Sequence, residues 1–371
     1  MYTDLDLDGF YGLPRLKLGS AEGALGPLDK LNVIVGENSS GKTGLLKLLY
    51  AVVKGHERFR NDKISTDPDF ANALSDKVFN TFMPRFKGLA DIVTKGTTKL
   101  SMKTSMLGED NQTMKLAFTI GAESKKTIQI QENQLTTGYK HTAIFLPAKE
   151  VLTILDVIAY TREEKSYPDF DDTYYDLVKS LRIKTTDGNI PVEIRGVSKT
   201  LERVFSGHIV QQFIGGNYKY LYKKGNQKYA MQQTAEGIKK IGILTTLINN
   251  RELNKDTILF IDEPETALHP KAQRELVRIL QKISQLSGAQ VFIATHSYYI
   301  INQLHIVAKE HKQMVPCISI ASNEQQERSY RYYDLQKLMP NIPIMEEALA
   351  MQSEELSLDL NYKFKPTKTI R

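Results

Sequence analysis

The chain has little cysteine and no long apolar run. Of its 371 residues only Cys317 is a cysteine, so no disulfide can form within the chain. The apolar letters around it, VPCISIA, predict a buried structural thiol and favour a reducing compartment. No stretch reaches the roughly 20 apolar residues that a membrane span needs, and the N-terminus MYTDLDLDGFYGL lacks a signal-peptide core. These absences predict a soluble cytoplasmic protein with no membrane association.

Repeats, low-complexity tracts and long linkers are also missing from the sequence. A hydrophobic fraction of 41% is that of a globular protein with a well-filled core. The net charge of +6 permits contact with nucleic acid, and it fits a general excess of surface lysine equally well. Charge alone therefore does not separate a nucleic-acid-binding protein from an ordinary soluble one.

Short apolar strands alternate with amphipathic helices along the chain. LNVIVGENSSGKTGLLKLLYAVV has the order of a strand, a loop and a helix, and the apolar strands TILFIDEPE and QVFIAT each precede a helix. This pattern predicts an α/β fold with a mostly parallel central sheet covered on both faces. Helical insertions are predicted at about 56–99 and 149–204, and an antiparallel β-meander at 208–231.

A glycine-containing loop follows the first of these apolar strands. Its residues GENSSGKT, positions 36–43, fit the phosphate-binding P-loop pattern G-x-x-x-x-G-K-[ST] between a strand and a helix. Backbone N–H groups of such a loop cradle phosphate oxygens. Lys42 is predicted to bind the β- and γ-phosphates, and the Thr43 hydroxyl to hold Mg²⁺. The predicted nucleotide-binding residues of this loop are Gly36, Asn38, Ser39, Ser40, Gly41, Lys42 and Thr43.

Two adjacent carboxylates end the strand ILFIDEPE. Because side chains alternate along a strand, Asp262 and Glu263 point in different directions and can serve different roles. We expect Asp262 on the Mg²⁺ side and Glu263 as the general base that polarises the attacking water. An acidic strand end that only caps the following turn is the alternative.

A histidine follows the strand QVFIAT. In that position His296 can hydrogen-bond the γ-phosphate or the attacking water. A lone histidine at a strand end is more often structural, but its place one strand and one helix beyond Glu263 favours a catalytic role. The predicted catalytic residues are therefore Glu263, His296 and Lys42.

GENSSGKT, FIDEPETALHP and IATHS, in this order, resemble the ATP-binding-cassette (ABC) type ATPase domain of the SMC-like and OLD-like group. That group includes chromosome-organising and DNA-repair ATPases and subunits of bacterial anti-phage systems. The resemblance implies an ABC-type P-loop NTPase that hydrolyses ATP with Mg²⁺. It also implies one domain over 1–345, with a core of about 1–55, 100–148 and 205–345, and a C-terminal tail over 346–371.

In that group ATP is sandwiched between two head-to-tail subunits, so the resemblance implies a homodimer or a higher homo-oligomer. The P-loop of one subunit faces a signature motif of the other, which matches TAEGIKKIG here and makes Thr234 and Gly237 candidate nucleotide contacts. Glu236 departs from the usual serine and glycines: either it points away from the phosphate, or sandwiching is weaker than usual. The loop ETALHP, residues 265–270, matches the family loop that contacts the partner subunit.

The stretch TAEGIKKIGILTTLI, residues 234–248, also has the pattern of a capped core helix. Thr234 would be its N-cap, and its buried face would be formed by Ile238, Ile241, Leu244, Leu247 and Ile248. Two weaker functional signals lie elsewhere in the chain. Lys149 and Glu150 stand where the family has a glutamine loop, and NYKYLYKKGNQKY interleaves tyrosine with lysine, which fits either nucleic-acid stacking or an exposed solubilising hairpin.

The resemblance implies a motor or sensor subunit of a bacterial defence or DNA-maintenance system that controls a separate effector, a nuclease or a toxin. OLD-like nucleases continue into a nuclease domain, whereas about 75 residues follow His296 here. A nucleotide-gated scaffold with little turnover, which holds or releases a toxic or inhibitory partner, is the alternative. The ATPase subunit of a transporter is a third hypothesis, which the helical insertion disfavours.

Overall fold

The computed structural model describes residues 1–61, 70–108, 111–135, 139–164, 169–183, 192–204, 206–214, 217–323, 327–340 and 342–361. Parts of the predicted insertions, of the C-terminal tail and of the first meander turn lie outside the described residues. Over the ranges just given, the helices are too short or too polar to cross a membrane.

The described strands are numbered in chain order. They are β1 (Tyr2–Asp8), β2 (Leu16–Leu18), β3 (Leu31–Gly36), β4 (Lys99–Leu107), β5 (Thr113–Gly121), β6 (Gln129–Asn133), β7 (Thr142–Leu146), β8 (His208–Ile214), β9 (Asn217–Lys224), β10 (Gln227–Ala230), β11 (Thr257–Asp262), β12 (Gln290–Thr295), β13 (Pro316–Ser322) and β14 (Arg328–Asp334). The described helices are α1 (Lys42–Asn61), α2 (Phe70–Phe82), α3 (Leu155–Glu163), α4 (Asp172–Arg182), α5 (Val192–Val204), α6 (Glu236–Asn249), α7 (Pro270–Ser287), α8 (Tyr298–Glu310) and α9 (Pro343–Asn361).

A mostly parallel sheet forms the centre of the fold, as predicted. In the part of the chain that is described, its order is β14-β13-β3-β12-β11-β7, and only β14 runs antiparallel to its neighbour. The parallel strands of this sheet are apolar because both of its faces are covered, as strand β11 shows. Ile258 and Phe260 enter the core that contains α1, whereas Leu259 and Ile261 enter the core on the opposite face with α7.

A second sheet, in the order β2-β1-β4-β5-β6, is antiparallel. Its apolar face shares a core with α1, and Leu5, Met102 and Phe118 are almost fully buried there. One face of the P-loop helix is thus fixed by packing against segments that are distant in the sequence.

The single cysteine lies in β13 of the central sheet. Cys317 is fully buried, and burial raises the pKa of its thiol well above the usual range. A thiol without access to solvent stays protonated and unreactive. The prediction of a buried structural cysteine is therefore confirmed.

Strands β8, β9 and β10 form the predicted antiparallel meander. The interpretation of its tyrosines as an exposed, lysine-flanked hairpin or a stacking surface is wrong for Tyr220 and Tyr222. Both are buried, and the Tyr220 hydroxyl donates to the carbonyl of Leu181. Because side chains alternate along β9, the two tyrosines face inward while Lys219 and Lys223 lie on the other face of the strand.

Helices α3, α4 and α5 occupy the second predicted insertion. The lobe is joined to the P-loop helix by an ion pair, in which Lys47 Nζ lies 2.6 Å from Asp171 Oδ2. Asp171 also caps α4 by accepting from the Thr173 N–H. The loss of this pair would therefore loosen both the start of α4 and its link to α1.

Candidate functional site

The strand order places the predicted site residues at one edge of the central sheet. Strands β3, β12 and β11 are parallel neighbours, so their carboxyl ends lie side by side. The P-loop follows β3, His296 follows β12, and Glu263 follows β11. Because Asp262 has the same parity as Ile258 and Phe260, it faces α1 and the P-loop.

Two residues of the P-loop have left-handed backbone, as is common in loops that bind anions. Ser39 and Gly41 adopt left-handed conformations, with φ of 64° and 104°. Lys42 is 3% exposed, and its Nζ donates to the carbonyls of Gly36 at 2.9 Å and Glu37 at 2.7 Å. Burial lowers the pKa of Lys42, and nearby carboxylates at the end of β11 oppose that effect. An anion in this loop would therefore meet a desolvated ammonium group.

Thr43 and Asp262 form a pair of oxygen ligands. The Thr43 hydroxyl donates to the Asp262 carboxylate, with distances of 3.0 Å to Oδ1 and 2.9 Å to Oδ2. Hydroxyl and carboxylate oxygens are the donors that Mg²⁺ prefers. Burial raises the pKa of Asp262 to about 6, against the lowering effect of the Thr43 hydrogen bond. The residues present therefore fit a Mg²⁺ site.

We expect the magnesium dependence of nucleotide affinity to weaken as the pH falls through about 6, where Asp262 becomes protonated. The folded pKa lies above the usual value of 3.8, so the contribution of this group to stability decreases as the pH rises from about 4 to about 6. Titrating nucleotide affinity with Mg²⁺ across this range, for the wild type and for Asp262→Asn, measures the effect. The phosphates of ATP titrate near pH 6 as well, but identically for both proteins. A pH dependence that is unchanged in Asp262→Asn would contradict the assignment.

The predicted base and the predicted histidine lie together. Glu263 Oε1 is 3.4 Å from His296 Nδ1. The backbone of Glu263 is left-handed, with φ of 44°, and its N–H donates to the Ala294 carbonyl at 2.9 Å. A bulky residue in this conformation is strained, and such strain is typical of functional sites. The turn re-aims Glu263 from the strand face toward His296.

Glu265 is a site residue that sequence reasoning placed only in the partner-contacting loop. Its side chain is turned inward instead, and Oε1 accepts from the Thr295 hydroxyl at 2.8 Å and the His296 N–H at 3.0 Å. His296 Nδ1 lies 3.3 Å from the same oxygen. Glu265 thus fixes the end of β12 and flanks the histidine. The spacing of two residues between Glu263 and Glu265, after an apolar strand, was the available signal.

The start of α6 differs from the predicted cap. The N-cap residue is Ala235, and no side chain caps the helix. The Thr234 hydroxyl instead donates to the carbonyls of Ala230 and Met231 at 3.0 and 2.9 Å. The short 3-10 turn Met231–Gln233 brings those carbonyls within reach of Thr234. The N-cap prediction for Thr234 is therefore wrong. The predicted buried face holds for all its members except Ile238, which is only partly buried; the others are Ile241, Leu244, Leu247 and Ile248.

Gly237 is buried within its own subunit. A Cβ atom at this position would lie 2.7 Å from Leu268 Cδ2 and 3.0 Å from the Ala267 carbonyl oxygen. A side chain cannot fit there without a shift of the loop that follows Glu263. Glycine at this position therefore has a packing cause in addition to any contact with nucleotide.

Glu236 is directed toward a lysine of its own helix. Its Oε1 lies 2.8 Å from Lys239 Nζ, which is also 3.4 Å from Glu150 Oε1. Of the two alternatives for Glu236, this pairing favours the first, in which the carboxylate points away from the phosphate. The same lysine links α6 to the turn after β7, where Glu150 also accepts from the Thr153 N–H, whereas Lys149 is exposed.

A cavity of about 620 Å³ opens beside the P-loop. Its lining includes Gly36, Glu37, Asn38 and His296, and α9 contributes Glu346 among others. Its volume is in the range of small-molecule and cofactor sites. The participation of a helix from the predicted C-terminal tail was not expected, and α9 extends across the predicted boundary at 345/346.

The backbone is similar to those of SMC head domains. An SMC head bound to the C-winged helix domain of ScpA has a TM-score of 0.55 and 12% identity, with 91% of this chain and 98% of that chain covered. An SMC head with an extended coiled coil from Pyrococcus furiosus, bound to the C-terminal domain of ScpA, has a TM-score of 0.51 and 12% identity, with 94% and 99% covered. At this identity the likeness concerns the fold, and the predicted ABC-type α/β fold is confirmed.

Similarity in sequence is more local. The methionine import ATP-binding protein MetN 1 of Acinetobacter baylyi is 24% identical over 147 residues, which are 38% of this chain and 35% of that protein. The chain thus matches about a third of the length of that relative. A family model described as "AAA domain, putative AbiEii toxin, Type IV TA system" matches residues 116–302.

Proposed function

The chain belongs to this AAA-domain family, and from that premise we propose that it is a Mg²⁺-dependent ATPase that sandwiches ATP between two copies of itself. One observation carries the proposal. Lys42, the Thr43–Asp262 pair and the Glu263–His296 pair converge at one edge of the sheet, and of these side chains His296 also lines the cavity beside the P-loop.

Each side chain has a role that its surroundings permit. The P-loop N–H groups and Lys42 would bind phosphate oxygens, and Thr43 and Asp262 would hold Mg²⁺, which neutralises phosphate charge when bound. Glu263 would take a proton from the attacking water as the water oxygen bonds to the γ-phosphorus and the bond to the ADP oxygen breaks. His296 would orient that water or the γ-phosphate.

The start of α6 supports the two-copy arrangement. No side chain caps it, so its first N–H groups and the positive end of the helix dipole suit an anion from outside the subunit. Thr266, Ala267 and His269, in the loop after Glu263, are exposed and suit contact with a second copy. In this proposal Thr234 and Gly237 shape the start of α6, and the N–H groups make the contact with nucleotide.

For the biological role we propose a motor or sensor subunit of a defence or DNA-maintenance system, of the OLD-like kind, that controls a separate nuclease or toxin. The family description, which names a toxin and a toxin–antitoxin system, supports that setting. A direct role for nucleic acid has less support after the burial of Tyr220 and Tyr222. The cytoplasmic location and the domain boundaries stay predictions.

A nucleotide-gated scaffold is the second candidate. It is favoured by the start of α6, where the Thr234 hydroxyl already donates to two carbonyls of its own chain and so is not free to donate to a phosphate. Such a protein would bind ATP, hydrolyse it very slowly and release its partner in response to nucleotide. The intact set of Lys42, Asp262 and Glu263 favours turnover.

The test of the sandwich is molecular mass in solution, measured by light scattering on Glu263→Gln with Mg²⁺·ATP, with Mg²⁺·ADP and without nucleotide. We expect a monomer that doubles in mass with ATP only, because the γ-phosphate is what the second copy binds. Glu310→Gln, an exposed carboxylate on α8, is the matched control. A mass that is independent of nucleotide would contradict the sandwich. Slow wild-type turnover with nucleotide-dependent partner release would favour the scaffold.

A further inference from the structure

Lys240 reaches the loop that carries the predicted base. It lies on α6, and its Nζ donates to the backbone carbonyl of Glu263 at 3.0 Å. That carbonyl also accepts from the Thr266 N–H at 3.2 Å, so it anchors the turn. The lysine therefore holds the backbone of Glu263 and leaves its carboxylate free to face His296.

Lys240 interacts electrostatically with the carboxylates of the site. Burial lowers its pKa to about 8, and that effect is opposed by nearby carboxylates, which are in decreasing order those of Glu265, Glu263, Asp262 and Glu236. Its neighbour Lys239 serves different groups, since it pairs with the side chains of Glu236 and Glu150. The two adjacent lysines therefore have different partners. Among the contacts described, Lys240 bonds to the Glu263 backbone and Lys239 does not.

Helix α6 touches this loop at two points on one face. Gly237 packs on Ala267 and Leu268, and Lys240, three residues further on, bonds to Glu263. The backbone of Glu263 is left-handed and strained, so it persists only where its surroundings hold it. The two contacts therefore connect the start of α6 with the conformation of Glu263.

We propose that Lys240 is a positioning residue that couples the start of α6 to Glu263 of the same subunit. This inference rests on the proposed function, in which the start of α6 binds the nucleotide held by the second copy. A γ-phosphate docked there would steady α6, and through Lys240 it would hold the Glu263 carboxylate beside His296. Each subunit would then hydrolyse its own ATP only after the sandwich has formed.

The test compares Lys240→Met, which keeps the length of the side chain but removes the donor, with Lys240→Arg, which keeps donor and charge. The matched control is Lys282→Met, at an exposed position on α7. Nucleotide affinity, steady-state kcat and KM, and the thermal unfolding midpoint are measured for each. For Lys240→Met we expect kcat to fall about tenfold while KM changes less than about twofold, with substantial recovery in Lys240→Arg.

The outcomes separate this inference from the proposed function. Wild-type turnover together with an unchanged kcat in Lys240→Met overturns the positioning role alone. If kcat falls equally in the Met and Arg variants, along with their unfolding midpoints, the role is structural and the inference is wrong. A wild-type protein that binds ATP without hydrolysing it overturns the proposed ATPase, and the positioning role with it.

Discussion

Replacing Glu263 with glutamine is expected to lower kcat for ATP hydrolysis by about 100-fold or more, which is the range for loss of a general base. The amide keeps the size of the side chain but cannot accept the proton of the attacking water. Affinity for Mg²⁺·ATP should change little, because Lys42, Thr43 and Asp262 make the predicted contacts with the phosphates and the metal. Steady-state turnover and equilibrium nucleotide binding, measured on the same preparation, separate the two effects.

A second variant distinguishes the base from the carboxylate beside it. In Glu265→Gln the amide oxygen can still accept from Thr295 and from the backbone of His296, so we expect a smaller loss of kcat than in Glu263→Gln. Equal turnover by wild type and Glu263→Gln would remove Glu263 as the base. A larger loss in Glu265→Gln would transfer that role to Glu265.

The sequence predicts which candidate residues lie close together where the order of strands along the chain determines it. A parallel sheet brings the carboxyl ends of neighbouring strands together, so three motifs that follow three apolar strands are expected to meet. The period of two along β11 also explains why Asp262 faces Thr43 while Glu263 needs a turn to reach His296. Neither conclusion required knowledge of side-chain packing.

Other features depend on contacts between distant segments, so their signals in the sequence are weaker. Strand β4 alternates buried and exposed residues that include methionine, threonine and lysine, so its pattern is far less apolar than that of β3. Thr234 has the chemistry of an N-cap, but a 3-10 turn just before it offers nearer carbonyls. Lys240 reads as one of two surface lysines, and only the packing of α6 on the loop after β11 shows its partner.

Replacing Lys42 with methionine is expected to weaken ATP binding by about 3 kcal/mol, roughly 150-fold in Kd, from the loss of charge-assisted hydrogen bonds to two phosphates. The ammonium is desolvated and is held by the carbonyls of Gly36 and Glu37, so it is already close to where phosphate oxygens would lie. Methionine fills a similar volume without donor or charge. Isothermal titration with Mg²⁺·ATP and with Mg²⁺·ADP measures the loss for each nucleotide.

The loss of affinity in Lys42→Met is also expected to differ between ATP and ADP. If Lys42 contacts both the β- and the γ-phosphate, the variant should lose more affinity for ATP than for ADP, since only ATP offers both. Lys54→Met, on α1 about three helical turns beyond Lys42, is the matched control, because Lys54 pairs with Glu57 at 2.8 Å, away from the P-loop. An equal loss in both lysine variants would mean that the effect comes from α1 as a whole. Unchanged ATP affinity in Lys42→Met alone would show that the loop does not bind phosphate through this side chain.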